Sequence, residues 1–137
     1  MTPQKQIFRH RPENGVYGDC YRTALACILD MKPEDLPHEH RVFGDNEQRQ
    51  FYDAALKPFG FKIALFAWTC SLEEVFEVMK ISNPGIHYIL SGWSRSNCNH
   101  SVVALEGEIV HDPSLTNAGI VGPCDNGAYY VELLVRA

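Results

Sequence analysis

No cluster of lysines and arginines occurs in this chain: 12 basic residues are scattered among 17 acidic ones, for a net charge of −5. Phosphate-driven binding gathers positive charge on one face, so no nucleic-acid partner is expected. Nor is there a long apolar run. The longest, Ile63 to Trp68, falls far short of the roughly 20 residues that a membrane-spanning helix needs. The opening Met1-Thr2-Pro3-Gln4-Lys5-Gln6 has no apolar signal region. The five cysteines (Cys20, Cys27, Cys70, Cys98 and Cys124) are odd in number and scattered, which does not describe a disulfide framework. Reduced thiols in a cytoplasm fit better. Repeats, low-complexity tracts and linkers are also missing. With 137 residues, 45% hydrophobic and 21% charged, the expectation is one soluble domain spanning residues 1–137 with a single core.

What is present reads as helices first and strands last. Residues 1–17 carry Pro3, Pro12, Asn14 and Gly15, so an irregular arm is expected, with one short strand at Ile7-Phe8. Asp19 is placed to cap a helix over residues 20–31, in which Cys20, Ala24, Cys27, Ile28 and Met31 recur at helical spacing and which Pro33 ends. His38, Glu39 and His40 read as a solvated connection. Asp45 and Gln48 suggest the start of a second helix, with Phe51, Ala54, Ala55 and Pro58 along one side and Gly60 as its stop. Phe61 to Trp68 predicts a buried strand. Ser71 and Glu74 form a capping box for a helix with Leu72, Val75, Phe76 and Met79 on its core face. Asn83-Pro84-Gly85 breaks that helix. A strand over 86–90, a polar loop over 91–99, a hairpin of 100–105 and 108–111 across Glu106-Gly107, and a closing strand over 128–135 complete an α+β chain ending in an antiparallel meander.

Three residues in this layout carry chemistry together. Cys20 would occupy the first helical position, where the positive end of the helix dipole favours a thiolate. Cys27 lies two turns further, about 10 Å along the axis, and reads as a small buried residue. A turn centred on Glu106-Gly107 sets His100 opposite about residue 113, within one residue of Asp112. Cysteine acyl transfer needs these three types: a thiol nucleophile, an imidazole that takes and returns its proton, and a carboxylate that orients the ring.

Asp19-Cys20 opening a helix, Asn99-His100-Ser101-Val102-Val103 as a later strand, and Val110-His111-Asp112-Pro113 at a strand end resemble the papain-like cysteine peptidase fold. Within it they look most like the branch of the double-glycine leader peptidases. A closer likeness is to small, poorly characterised phage and bacterial proteins whose GDC or GNC helix runs into A-S-L-L and then a P-x-x-x-V-P segment. Here those elements read Gly18 to Cys20, Ala26-Cys27-Ile28-Leu29 and Pro33-Glu34-Asp35-Leu36-Pro37-His38, followed by His87 to Arg95, His100 to Val103, His111 to Ser114, and Gly119. The resemblance spans roughly residues 6–122. It implies a papain-like hydrolase of peptidase or amidase type with Cys20, His100 and Asp112 as its catalytic residues, acting through a thioester. It also implies a glutamine-type amide that stabilises the oxyanion, for which Gln6 is favoured and Asn14 is the alternative, alongside the backbone N–H of Cys20. Tyr21 stands where leader peptidases often have glycine, and would narrow the cleft.

Other readings stand beside this one. Cys98, His100, His111, Asp112 and Cys124 could serve a zinc ion, but no C-x-x-C or H-x-x-x-H spacing accompanies them, and neither metal nor cofactor is expected. His111 should point away from Asp112 as a packed or hydrogen-bonded group, and His87 reads as structural. Trp93, Ser94, Arg95 and Arg22 either line a substrate groove or simply face solvent. The expected partner is a peptide or protein substrate, and the small size suggests a short or terminal peptide. The alternative is a non-catalytic phage-type protein that uses the same fold to bind a host protein.

Overall fold

The computed structural model describes residues 1–44 and 46–137. Among them are three α-helices, α1 (Cys20–Ile28), α2 (Glu47–Leu56) and α3 (Leu72–Ser82). Five strands, β1 (Phe61–Trp68), β2 (His87–Trp93), β3 (Asn99–Leu105), β4 (Glu108–His111) and β5 (Tyr129–Arg136), form one antiparallel sheet in the order β1-β5-β2-β3-β4. The architecture is α+β.

Strand side chains alternate between faces, and in the central strands both faces are apolar. One face presents Ile63, Ile89 and Val103 to Ala24, Leu25 and Cys27 of α1 and to Tyr52 and Leu56 of α2. The other presents Tyr88, Leu90, Val102, Ala104 and Val131 to Val75 and Met79 of α3. Burying each Val, Leu, Ile and Met among these contributes roughly 1.5–3 kcal/mol. Helix α3 starts as its capping box predicts: Ser71 Oγ accepts the Glu74 N–H at 3.1 Å, and Glu74 Oε1 accepts the Ser71 N–H.

Several expectations are corrected. The last strands are not a simple meander. The segment after β4 crosses back and inserts β5 between β1 and β2, tied down by Trp93 N–H to Gly122 O (2.8 Å) and Val121 N–H to Trp93 O (2.7 Å). β5, buried on both faces though one carries Glu132, takes an interior place, whereas β1 becomes the sheet edge, with Ile63 buried and Phe66 exposed. The polar loop expected over 91–99 shortens to 94–98, because β2 continues to Trp93 and β3 begins at Asn99. In α2 the buried positions are Tyr52 and Leu56, not Ala54 or Pro58; the expected start at Asp45 lies outside the described residues. Helix α1 ends at Ile28, since Asp30 turns left-handed (φ 56°) and Met31 N–H closes onto Ala26 O; Pro33 opens a separate 3-10 turn.

The largest correction concerns Asp19. Its side chain makes no capping bond to α1. It turns the other way: Oδ1 accepts the N–H groups of Ile7 (3.0 Å) and Phe8 (2.8 Å), and Oδ2 accepts Arg22 Nη2 at 2.7 Å. The arm at residues 7–8 is therefore not a strand, because its backbone donors go to a carboxylate. Arg22 in turn donates to Leu36 O, so one buried ion pair joins the arm, α1 and the following turn. His38, expected in solvent, is half-buried, stacked on Phe8 at 5.3 Å with Nε2 3.0 Å from Tyr17 O.

Removing one partner of a buried pair leaves the other charged and desolvated. Asp19→Ala is expected to cost about 3–5 kcal/mol in urea denaturation, and limited proteolysis should cut the 1–17 arm early. An unchanged urea midpoint would show that the clamp contributes nothing.

Candidate active site

Cys20 opens α1, and the chain reaches it through a constrained turn. Gly18 donates its N–H to His10 Nδ1 (3.1 Å), and a Cβ at Gly18 would sit 3.0 Å from His10 Cβ, so a larger residue there would press on the His10 side chain. Cys20 is partly exposed and faces an open cleft of about 1450 Å³.

His100 lies near the start of β3, at the end away from the Glu106-Gly107 turn. The hairpin follows the expected register at Leu105↔Glu108 and Ala104↔Ile109, then a bulge shifts it by one residue to Val103↔His111. Bulges re-aim the side chains beyond them. Here Asp112 leaves the strand and folds its carboxylate back onto His100, with His100 Nε2 donating to Asp112 Oδ1 at 2.7 Å. The carboxylate is fixed on both oxygens. Oδ1 also accepts Ser114 N–H (2.9 Å), and Oδ2 accepts Gly119 N–H (2.8 Å). Gly119 has φ +64°, and a Cβ there would meet Arg95 Nη1 at 2.6 Å. Lys5 Nζ donates to the carbonyls of both Asp112 and Ser114, bracing this turn from the arm.

The electrostatics follow from these contacts. Burial by itself would lower the His100 pKa. The Asp112 hydrogen bond, and the hydrogen bond and charge of Cys20, outweigh it and push the ring up to about 10. With Nε2 given to Asp112, Nδ1 is the nitrogen left for Cys20. Asp112 moves the opposite way: burial raises it, but the bonds from His100, Ser114 and Gly119 hold it well below the usual carboxylate range.

The structure thus holds His100 and Asp112 as a hydrogen-bonded pair, with Cys20 on the same cleft and near enough to help raise the ring. Gln6 lies on the same cleft and is buried. Its Nε2 donates to Phe8 O at 2.6 Å and keeps a second N–H, and its backbone N–H bonds Pro113 O. Asn14 is exposed in a 3-10 turn and does not line the cleft. Trp93, Ser94 and Arg95 all do. Ser94 is buried, however, and its hydroxyl is spent on Cys98 O, which makes it a loop brace. His111 bonds Gln4 O through Nε2 at 2.5 Å. Among the described residues no group of three or more His, Cys, Asp or Glu side chains is arranged to hold a metal, and no helix is long and apolar enough to cross a membrane.

Tyr21 lines the cleft with most of its side chain buried, its hydroxyl donating to Glu132 Oε2. Sequence reasoning missed Lys5 and Glu132, and named Gly119 in the motif without its bond to Asp112. Only Glu132 left a signal: a lone acid in the apolar run Tyr130-Val131-Glu132-Leu133-Leu134. Burial pushes Glu132 up to about 7 against the lowering bond from Tyr21.

No protein-family model, curated protein or solved structure matches this chain.

Two titrations check the electrostatics. Asp112→Asn removes the main group stabilising the imidazolium, so the His100 midpoint followed by histidine NMR should fall from about 10 by at least about one unit. A midpoint that stays near 10 would assign the shift elsewhere. Glu132 is raised by folding, so the native state holds its proton more tightly than the unfolded state, and wild-type stability should decline as pH rises from about 4.5 through about 7. Glu132→Gln should lack that decline, and its stability gain over wild type should grow between pH 5 and pH 8 in paired urea melts.

Proposed function

We propose that the chain is a cysteine hydrolase or acyl transferase of papain-like fold, acting on an amide or ester bond of a peptide or protein. The observation that carries this reading is the buried His100, its Nε2 2.7 Å from the Asp112 carboxylate and its protonated form favoured also by Cys20, which opens onto the same cleft. A histidine that merely packed in a core would not need a carboxylate fixed by two backbone N–H groups and a partly exposed thiol on the same cleft.

The steps follow from the placement. Cys20 attacks the substrate carbonyl carbon as a thiolate, with its proton held on His100. The C–S bond forms as the C=O π pair moves onto oxygen. The oxyanion accepts the Cys20 backbone N–H and the unspent Gln6 Nε2 N–H. When the tetrahedral adduct collapses, His100 gives its proton to the leaving amine or alkoxide and the C–N or C–O bond breaks. The now neutral ring deprotonates an incoming water or amine, which attacks the thioester carbonyl and expels the Cys20 thiolate. Asp112 keeps the ring oriented and stabilises its protonated form throughout. The Cys-His-Asp arrangement and the Cys20-helix, His100-strand, Asp112-turn order support the family reading made from the motifs.

One equivalent of iodoacetamide at pH 6, mapped by mass spectrometry, tests the reading. Cys20 should be alkylated well ahead of Cys70 and Cys98, and His100→Ala should lower its rate by roughly 10²-fold, within the range attributed to a positioned acid–base group. Equal labelling of Cys20, Cys70 and Cys98 in the native protein would remove the nucleophile and leave a binding role for the fold.

A further inference from the structure

Glu132 sits in an environment that ordinarily excludes a carboxyl group. It lies on β5 opposite Leu65 of β1 and Ile89 of β2, on the sheet face that carries Ile63, Val103 and Leu134, and it is only 7% exposed. Buried carboxylates are normally paired with a cation or fully hydrogen-bonded. Glu132 is neither. Oε2 accepts the Tyr21 hydroxyl, and Oε1 has no hydrogen-bond partner among the described residues. The nearby cation is already engaged: Arg49 Nη1 donates to Asp53 Oδ2 at 2.7 Å, while Asp53 Oδ1 takes the Ile63 N–H. Glu132 lines the same cleft as Cys20, and its partner Tyr21 is the residue next to that cysteine.

We propose that Glu132 and Tyr21 form a subsite on the cleft floor for a primary ammonium group of the substrate, a lysyl side chain or an amino terminus. The proposal rests on the cysteine-hydrolase reading for what the ammonium is attached to, and on the open Glu132 oxygen for its chemistry. An ammonium is compact and carries three donors. One donor satisfies Oε1 and a second reaches the lone pairs left on the Tyr21 hydroxyl. The hydroxyls of Ser91 and Ser101, 2.7 Å apart and also on the cleft wall, are further acceptors. A guanidinium fork needs more room than a side chain with this little exposure leaves.

The subsite is pH-dependent. Its facing groups are Tyr21 from α1, Tyr52, Asp53 and Arg49 from α2, and the uncharged Leu65 and Ile89 from β1 and β2. Burial pushes Tyr21 well above its usual value, so it stays a hydroxyl. Glu132, raised to about 7, is the group that changes, and ammonium binding should strengthen as pH rises through that value.

The test uses wild-type protein with 13C-carboxyl-labelled glutamate. The Glu132 resonance is assigned by its loss in Glu132→Gln and, should that variant not fold, in Glu132→Asp. Nα-acetyl-lysine methylamide supplies a side-chain ammonium, glycine methylamide an amino-terminal one, and Nα-acetyl-norleucine methylamide a neutral control. At millimolar concentration one or both amines should shift the Glu132 resonance saturably and lower its titration midpoint by about one to three units, the effect of an adjacent opposite charge. The amine that does so names the source of the ammonium. If neither amine moves the resonance further than the norleucine control, the subsite is overturned. Because Cys20 takes no part in this measurement, that failure leaves the alkylation result standing, and loss of selective alkylation leaves this one standing.

Discussion

The site depends on a single carboxylate with no idle oxygen. Asp112 holds the His100 ring with one oxygen and shares its remaining capacity between the N–H groups of Ser114 and Gly119. A carboxylate bound that way cannot rotate without breaking several bonds at once, so the imidazole it holds is fixed in position and in tautomer. The histidine then carries a proton at neutral pH despite being buried, because Asp112 and Cys20 together outweigh the cost of desolvation. The bulge between Val103 and Ala104 supports this arrangement by ending the regular register where Asp112 must turn back.

A second carboxylate performs the matching task on the other wall. Asp19 collects two backbone N–H groups of the arm and the Arg22 guanidinium, and so fixes where α1 begins. Lys5 links the walls, reaching from that arm to the carbonyls of Asp112 and Ser114. Cys20 on α1 and His100 on β3 are eighty residues apart in the chain, yet the arm touches both segments. Gln6 reaches the cleft as a consequence, with its backbone on Pro113 and its side chain turned back to Phe8.

Local chemistry determined much of this protein without tertiary help. The Ser71–Glu74 capping box, the stop at Gly60 and the Glu106-Gly107 turn depend on neighbours within four residues, so each can be read from the chain. The cysteine at a helix start and the His–Asp hairpin are short-range too, since the turn sets which residues meet across it. The α+β class followed from where the two periodicities occur.

Only the tertiary structure decided the rest, because it turns on partners far apart in sequence. Asp19 had two uses, capping its own helix or holding the arm, and the arm prevailed because its N–H groups had no sheet to join. β5 took an interior place and β1 the edge because largely apolar surface on two faces is buried best between two strands, a choice no single strand can make. Tyr21 turned inward because Glu132, 111 residues away, offered it an acceptor. Residue types and local spacing determined which groups could do chemistry, while the packing of distant segments decided which were brought together and which of them, Glu132 above all, turned an oxygen with no described protein partner to the cleft.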